Sequence, residues 1–145
     1  DPTTQEWRFC HTEIVRFADI DMFNHVNNAA YLTYVESARV AYYAHISGLT
    51  DPHAFDLTVA RAEIDFKKPV FYPATIHVYT RATRIGTKSW TLEHDLRDAS
   101  TSDLLAHCTT ILVHFDHNTG QSSPIPPHII ARIEAHEGRP LKEQP

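Results

Sequence analysis

The sequence is poor in cysteine, in positive charge and in long apolar runs. Two cysteines in 145 residues, Cys10 and Cys108, cannot build a disulfide framework, so both read as reduced strand residues. Thirteen Lys and Arg stand against 18 Asp and Glu, a formal net charge of -5. Binding nucleic acid needs a basic face that neutralises phosphates, so nucleic acid is not the expected main partner. No apolar run approaches the roughly 18 residues of a membrane span, and no signal-peptide pattern opens the chain. A cytoplasmic location is the resulting expectation. The chain starts at Asp1 without a Met, which reads as a trimmed start. A G-x-S-x-G elbow, the mark of one large class of triad hydrolases, is also missing. There is no internal repeat, low-complexity block or domain boundary. At 42% hydrophobic and 21% charged residues, 1–145 reads as a single domain able to bury its own core.

What is present is a change of period along the chain. Glu6–Phe17 alternates, with Trp7, Phe9, Val15 and Phe17 on one parity, and predicts a strand. Ala18–Asn27 is rich in Asp and Asn and predicts a loop. From Asn28 the apolar spacing becomes three and four, through Tyr31, Leu32, Val35, Ala38, Tyr42 and Ile46. That is the stripe of a long helix, capped by Asn27 or Asn28 and stopped by Gly48. Leu57–Lys67, Thr75–Ile85, Lys88–Arg97 and Leu104–Phe115 alternate again, and the last three, joined by short turns, predict an antiparallel meander. A short helix follows at Pro127–Glu137, then a frayed tail at Gly138–Pro145. One long helix and one sheet leave one obvious packing, in which the sheet wraps the helix.

The stretch Val15–Arg39 carries the chemistry. A strand feeds a polar, turn-forming loop, which feeds a helix N-terminus. Unpaired N–H groups and the positive dipole end there suit an oxyanion or a polarised carbonyl. Two readings stand for Asp21: a general base or nucleophile beside that helix, or the acceptor of an Asx turn. Asp19 reads as holding the loop, and Glu36 with Arg39 as an i,i+3 ion pair. Tyr31 shares the helix face of Asn28 and lines either a pocket or the core. Eleven histidines invite a metal reading, with His114 and His117 the tightest cluster. Their odd spacing sends them to opposite faces of a continuous strand, so no metal is expected.

The pattern Asp19, Asp21, His25, Val26, Asn27, Asn28, Tyr31, followed by Glu36, Ala38 and Arg39, resembles the hotdog-fold acyl-CoA thioesterases. Within these it is most similar to the 4-hydroxybenzoyl-CoA thioesterase-like enzymes and their fatty acyl relatives. Ile64–Val70 and Ile85–Trp90 match further stretches, so the resemblance covers roughly Phe9–Phe115. It implies an α+β hotdog fold, an antiparallel sheet around one long central helix with a short C-terminal helix. It also implies hydrolysis of an acyl-CoA to a free acid and coenzyme A, without a further cofactor.

Carried over position by position, the catalytic carboxylate falls on Asp21 and the carbonyl-polarising N–H near Asn28. His25 matches a histidine used by plant acyl-carrier-protein thioesterases. Asn24 replaces a common glycine, and Phe23 stands where the plant enzymes have asparagine, which favours a carboxylate-centred mechanism. Asn27 and Tyr31 are expected near the substrate. Coenzyme A carries phosphates, so Arg84, Lys88 and Ser89 at the Gly86 hairpin are expected to bind it, with Lys67 and Lys68 a second candidate pair. The expected assembly is a homodimer or homotetramer with the site between subunits. Two rival activities remain at this level: an acyl-carrier-protein thioesterase and a non-catalytic acyl-CoA binding module.

Overall fold

The computed structural model describes residues 7–143. Five strands, β1 (Cys10–Ile14), β2 (Leu57–Phe66), β3 (Thr75–Ile85), β4 (Ser89–Asp98) and β5 (Leu104–His114), form one sheet. Its order is β1-β3-β4-β5-β2, and every neighbouring pair is antiparallel. The sheet wraps helix α1 (Asn28–Ser47), and a short helix α2 (Pro127–Glu137) closes one end. This is the hotdog arrangement the sequence pattern implies.

Strand parity decides what faces α1. Ile76, Val78 and Ala82 of β3, Trp90, Leu92 and Leu96 of β4, and Cys108 and Leu112 of β5 are all fully buried or nearly so. From α1, Tyr31, Tyr34, Val35, Ala38, Tyr42, Tyr43 and Ile46 answer them. Burying one such aliphatic side chain contributes roughly 1.5–3 kcal/mol, so this face alone outweighs any intrinsic helix preference. The helix is begun by Asn27, whose Oδ1 accepts the Ala29 N–H at 2.9 Å. It ends at Gly48, whose N–H still donates to the Ala44 carbonyl and whose left-handed φ of 76° turns the following chain out of the helix.

The core is not continuous. One apolar cluster gathers Val35, Ala38, Val78, Leu96 and Cys108 near the start of α1. Another gathers Tyr42, Tyr43, Ala82, Leu92, Leu112 and the α2 residues Ile129 and Ile133. Between them runs a polar belt of Thr80, His94 and Thr110, all almost fully buried. His94 Nδ1 lies 3.0 Å from the Thr80 hydroxyl, and Nε2 lies 3.1 Å from the Thr110 hydroxyl. Burial, with the Arg39 charge and His107 nearby, pushes the His94 pKa down to about 3. The ring is therefore neutral at ordinary pH, one nitrogen donating and the other accepting.

Three expectations need correction. Leu32, assigned to the buried stripe of α1, is 43% exposed, while Tyr34 and Tyr43 turn inward. The first strand is shorter than expected, because a 3-10 turn at Phe17–Asp19 throws Phe17 outward (Glu6 lies outside the described residues). The segment after Gly138, expected to fray, is held through Glu143. The Ile85 N–H donates to the Leu141 carbonyl, the Glu143 N–H donates to the Ile85 carbonyl, and Leu141 is buried. Residues 144 and 145 of that expectation lie outside the described residues.

Candidate active site

The loop before α1 is built around two aspartates with different tasks. Asp19 is buried and accepts from the Tyr34 hydroxyl at 2.7 Å, from the Arg16 guanidinium at 3.0 Å and from the Arg16 N–H at 3.0 Å. Burial works to raise its pKa, but those three donors together hold it below the usual carboxylate value. Its carbonyl also receives the Asn27 N–H at 2.8 Å. Asp19 thus fixes where the helix begins, as its loop-holding reading expects.

Asp21 is exposed, and both readings of it meet in one side chain. Oδ1 accepts the Phe23 N–H at 2.9 Å and the His25 N–H at 3.1 Å, which is an Asx turn. The turn is completed by Asp21 N–H to the His25 carbonyl and by Asn24 at a positive φ of 63°. Oδ2 makes no hydrogen bond to a described residue and is left for a water or a substrate. The turn aims this oxygen: a carboxylate with one oxygen locked by two backbone donors has little freedom to rotate away.

The His25 ring stands edge-on to Phe71, centroids 4.8 Å apart. The loop is tied to the segment after β2 by the Val26 N–H to the Val70 carbonyl at 2.8 Å. Asn28 opens the helix, and its N–H has no acceptor among the described residues, as expected for a first-turn donor. Asp21, His25, Asn28, Tyr31, Phe66 and Lys67 share one cleft of about 400 Å³. Tyr31 is almost wholly buried and packs edge-to-face on Phe66 at 5.1 Å. Asn27, expected near the substrate, is not among the residues that line the cleft, and its side chain is engaged as the helix cap.

The other expected substrate contacts lie elsewhere. Arg84 and Ser89 line a separate cavity of about 260 Å³ at the β3–β4 hairpin. Arg84 is ion-paired with Glu143, and Lys88 Nζ lies 3.4 Å from the Ser122 hydroxyl. Phe66 pairs with Ala106, whereas Ser89 pairs with Val113. Seven residues of β5 separate those positions, about 23 Å of strand. Within one chain, the hairpin and Asp21 therefore sit at opposite ends of the sheet. Lys67 does reach the cleft, and Lys68 beside it is paired with Asp103 at 2.6 Å.

Among the described residues no group of three or more His, Cys, Asp or Glu converges as a metal site. His114 is buried and accepts the Trp90 indole N–H at 3.0 Å, while His117 lies in the following turn. Phe66 and Phe71 are the site residues that sequence reasoning missed. Phe66 ends a strand and Phe71 stands two residues after Pro69, so neither position carries a local signal for a site. No helix among the described residues is long and apolar enough to cross a membrane.

Comparison with known proteins bears on this arrangement. The profile of the thioesterase-like superfamily matches residues 15–133. A thioesterase of Thermus thermophilus, solved with coenzyme A and zinc, superposes with a TM-score of 0.84 and is 32% identical, covering 94% of this chain and 99% of its own. The PA2801 protein of Pseudomonas aeruginosa gives a TM-score of 0.79 at 32% identity, over 88% of this chain and 98% of that one. The YsmA protein of Bacillus subtilis is 28% identical over 98 residues, 65% of this chain and 67% of its own length.

Proposed function

The chain belongs to the thioesterase-like superfamily and is a thioester hydrolase, and we propose that it acts on acyl-CoA with Asp21 as the catalytic carboxylate. The observation that carries the assignment is the free Oδ2 of Asp21 in the same cleft as the unpaired Asn28 N–H. The Asn28 N–H, at the positive end of a 20-residue helix, receives the thioester oxygen and stabilises the charge that develops on it. Asp21 Oδ2 takes the proton of an attacking water, or attacks the carbonyl carbon itself to give an anhydride that water then opens. In either route the C–S bond breaks and coenzyme A leaves as the thiolate. His25 borders the attacking position and orients the water. A single turnover in ¹⁸O-water tests the anhydride route, since water opening the anhydride at the Asp21 carbonyl carbon leaves label in Asp21, which the general-base route never does.

The proposal includes a dimer. β2 is an edge strand whose outer side pairs with nothing among the described residues. Exposed edges of this length are normally covered. If two copies of β2 pair antiparallel, the Leu57 end of one lies beside the Phe66 end of the other. The Arg84–Ser89 hairpin lies at that Leu57 end, so a second copy brings it toward the Asp21 cleft. Coenzyme A phosphates are then held in trans by Lys88 and Arg84, with Lys67 on the near side. The reading fits a cytoplasmic enzyme, where acyl-CoA is found.

The deciding experiment is thiol release from a panel of acyl-CoAs by the parent and by Asp21→Asn. Asparagine keeps the Oδ1 acceptor and hence the turn, but lacks the charge. Loss of roughly 10²–10⁴-fold in kcat is expected. Turnover equal to the parent would remove Asp21 from the chemistry.

A further inference from the structure

A second cavity, of about 360 Å³, opens between α1 and β2. Its walls are mostly apolar, with Leu32, Val35, Tyr43, Phe55 and Val59 among them. Arg39 from α1 and Thr110 from β5 enter it as polar side chains, and Glu36 stands at the rim. The Arg39 side chain is 17% exposed, and its nearest carboxylate oxygen, on the largely exposed Glu36, is 4.0 Å away. That is too long for a hydrogen bond, and no other described residue accepts from the guanidinium. A planar fork of N–H donors therefore opens onto the cavity with no protein acceptor among the described residues. Burial draws the Arg39 pKa below its usual value, and Glu36 only partly opposes this. The expected i,i+3 pair with Glu36 is thus present at 4.0 Å but leaves the guanidinium without a hydrogen-bonded acceptor, which an oxygen anion in the cavity would supply. Thr110 belongs to the polar belt, its hydroxyl fixed by His94.

This cavity and the Asp21 cleft lie on one seam. Asn28 and Tyr31 of α1 face Phe66 of β2 in the cleft; Val35 and Arg39 face Ala62 and Val59 in the cavity. The edge-to-face contact of Tyr31 with the half-exposed Phe66 stands between the two. Arg39 follows Asn28 by 11 positions, about 16 Å along the helix. An acyl chain whose carbonyl rests on the Asn28 N–H and which follows the seam past Phe66 reaches Arg39 with its far end.

We infer that this cavity receives the distal end of the acyl group, and that the end carries a carboxylate held by Arg39 beside Thr110. The preferred substrates are then ω-carboxyacyl-CoA thioesters. This rests on the acyl-CoA reading above, and the test separates the two.

The experiment compares kcat/KM for adipyl-, suberyl- and sebacyl-CoA with that for hexanoyl-, octanoyl- and decanoyl-CoA. It uses the parent, Arg39→Gln, and Thr110→Val as a second, less disruptive variant. Calorimetry with free suberate and octanoate supplies a readout independent of hydrolysis. The parent is expected to prefer one of the ω-carboxyacyl thioesters over its plain counterpart. Arg39→Gln is expected to lower that ratio roughly ten- to hundredfold, the value of a charge-assisted hydrogen-bonded pair, and Thr110→Val to lower it less. Equal loss on both series, or a parent that prefers plain chains, overturns the inference and leaves thioester hydrolysis standing. Suberate binding that depends on Arg39, with no acyl-CoA turned over, supports the anion cavity and removes the acyl-CoA reading. If Arg39→Gln dissociates the assembly in sedimentation without changing the ratio, Glu36 of a second copy is the occupant and the inference falls.

Discussion

Acidification should weaken this fold through a single buried ring. His94 is inaccessible and its two nitrogens meet only neutral hydroxyls, so a protonated ring would bury a charge with no counter-charge and with the Arg39 cation nearby. Its pKa is about 3 when folded, against an ordinary value of 6.5. Between those values the unfolded chain binds the proton and the folded chain does not. Stability therefore falls as pH drops through the unfolded value and keeps falling until the folded one is reached. The slope is about 1.4 kcal/mol per pH unit, so by about pH 4.5 His94 alone costs on the order of 2–3 kcal/mol. For a chain of this size that lowers Tm by roughly 5–10 °C. The assay is urea or thermal unfolding at constant ionic strength and protein concentration, from pH 7.5 down to about 4.5. It is run on the parent and on His94→Gln, which keeps an amide donor and acceptor between the two threonines. Burial also lowers the pKa of His114 and His136, so some acid loss persists in the variant. The difference between the two curves isolates His94 and should grow steadily below about pH 6.5. Parallel curves would refute the reasoning, because they would mean the ring carries no proton linkage.

Tyr34→Phe removes the buried hydroxyl that Asp19 accepts and should cost about 2 kcal/mol by urea unfolding at pH 7. Because the folded Asp19 pKa is lowered from 3.8, its contribution is present above that value and lost below it, so the cost should shrink when Asp19 is protonated. Asn27→Ala deletes the cap of α1 and should lower stability by about 1 kcal/mol, with Asn27→Ser restoring most of it. Lys88→Ala should raise KM for an acyl-CoA several-fold while leaving the matched acyl-pantetheine unchanged; equal effects on both would detach Lys88 from the coenzyme A phosphates.

Most of the fold was legible because its signals are local and repeated. Alternation from Leu57 to Phe115 marked the four later strands, and the Gly86 and Asp98–Asp103 breaks set their turns. The cap at Asn27 or Asn28 and the Gly48 stop bounded α1 to within one residue. Leu32 was misplaced because three-four spacing defines a stripe without its width, and tyrosines at 34 and 43 took the inward positions. The tail after Gly138 was misread because its order comes from non-local bonds to Ile85, invisible to composition. In the site, Asp21, His25, Asn28 and Tyr31 are near neighbours in sequence and came together as expected. Arg84, Lys88 and Ser89 did not, since their relation to Asp21 depends on how far a strand runs and in which direction. The polar belt did have a signal. Thr80, His94 and Thr110 each interrupt an apolar parity, and polar residues on a buried face need partners.

That interruption gives the molecule two stability domains inside one fold. The half of α1 from Asn28 to Ala38 packs on one apolar cluster, and the half from Tyr42 onward on another that α2 reinforces. The strands run through both, but the side-chain packing does not. Fluctuations can therefore loosen the end that carries Asp21 and the cleft while the α2 end keeps its amide protons shielded. If the acyl group follows α1 as proposed, this division gives the enzyme a place to yield without unfolding.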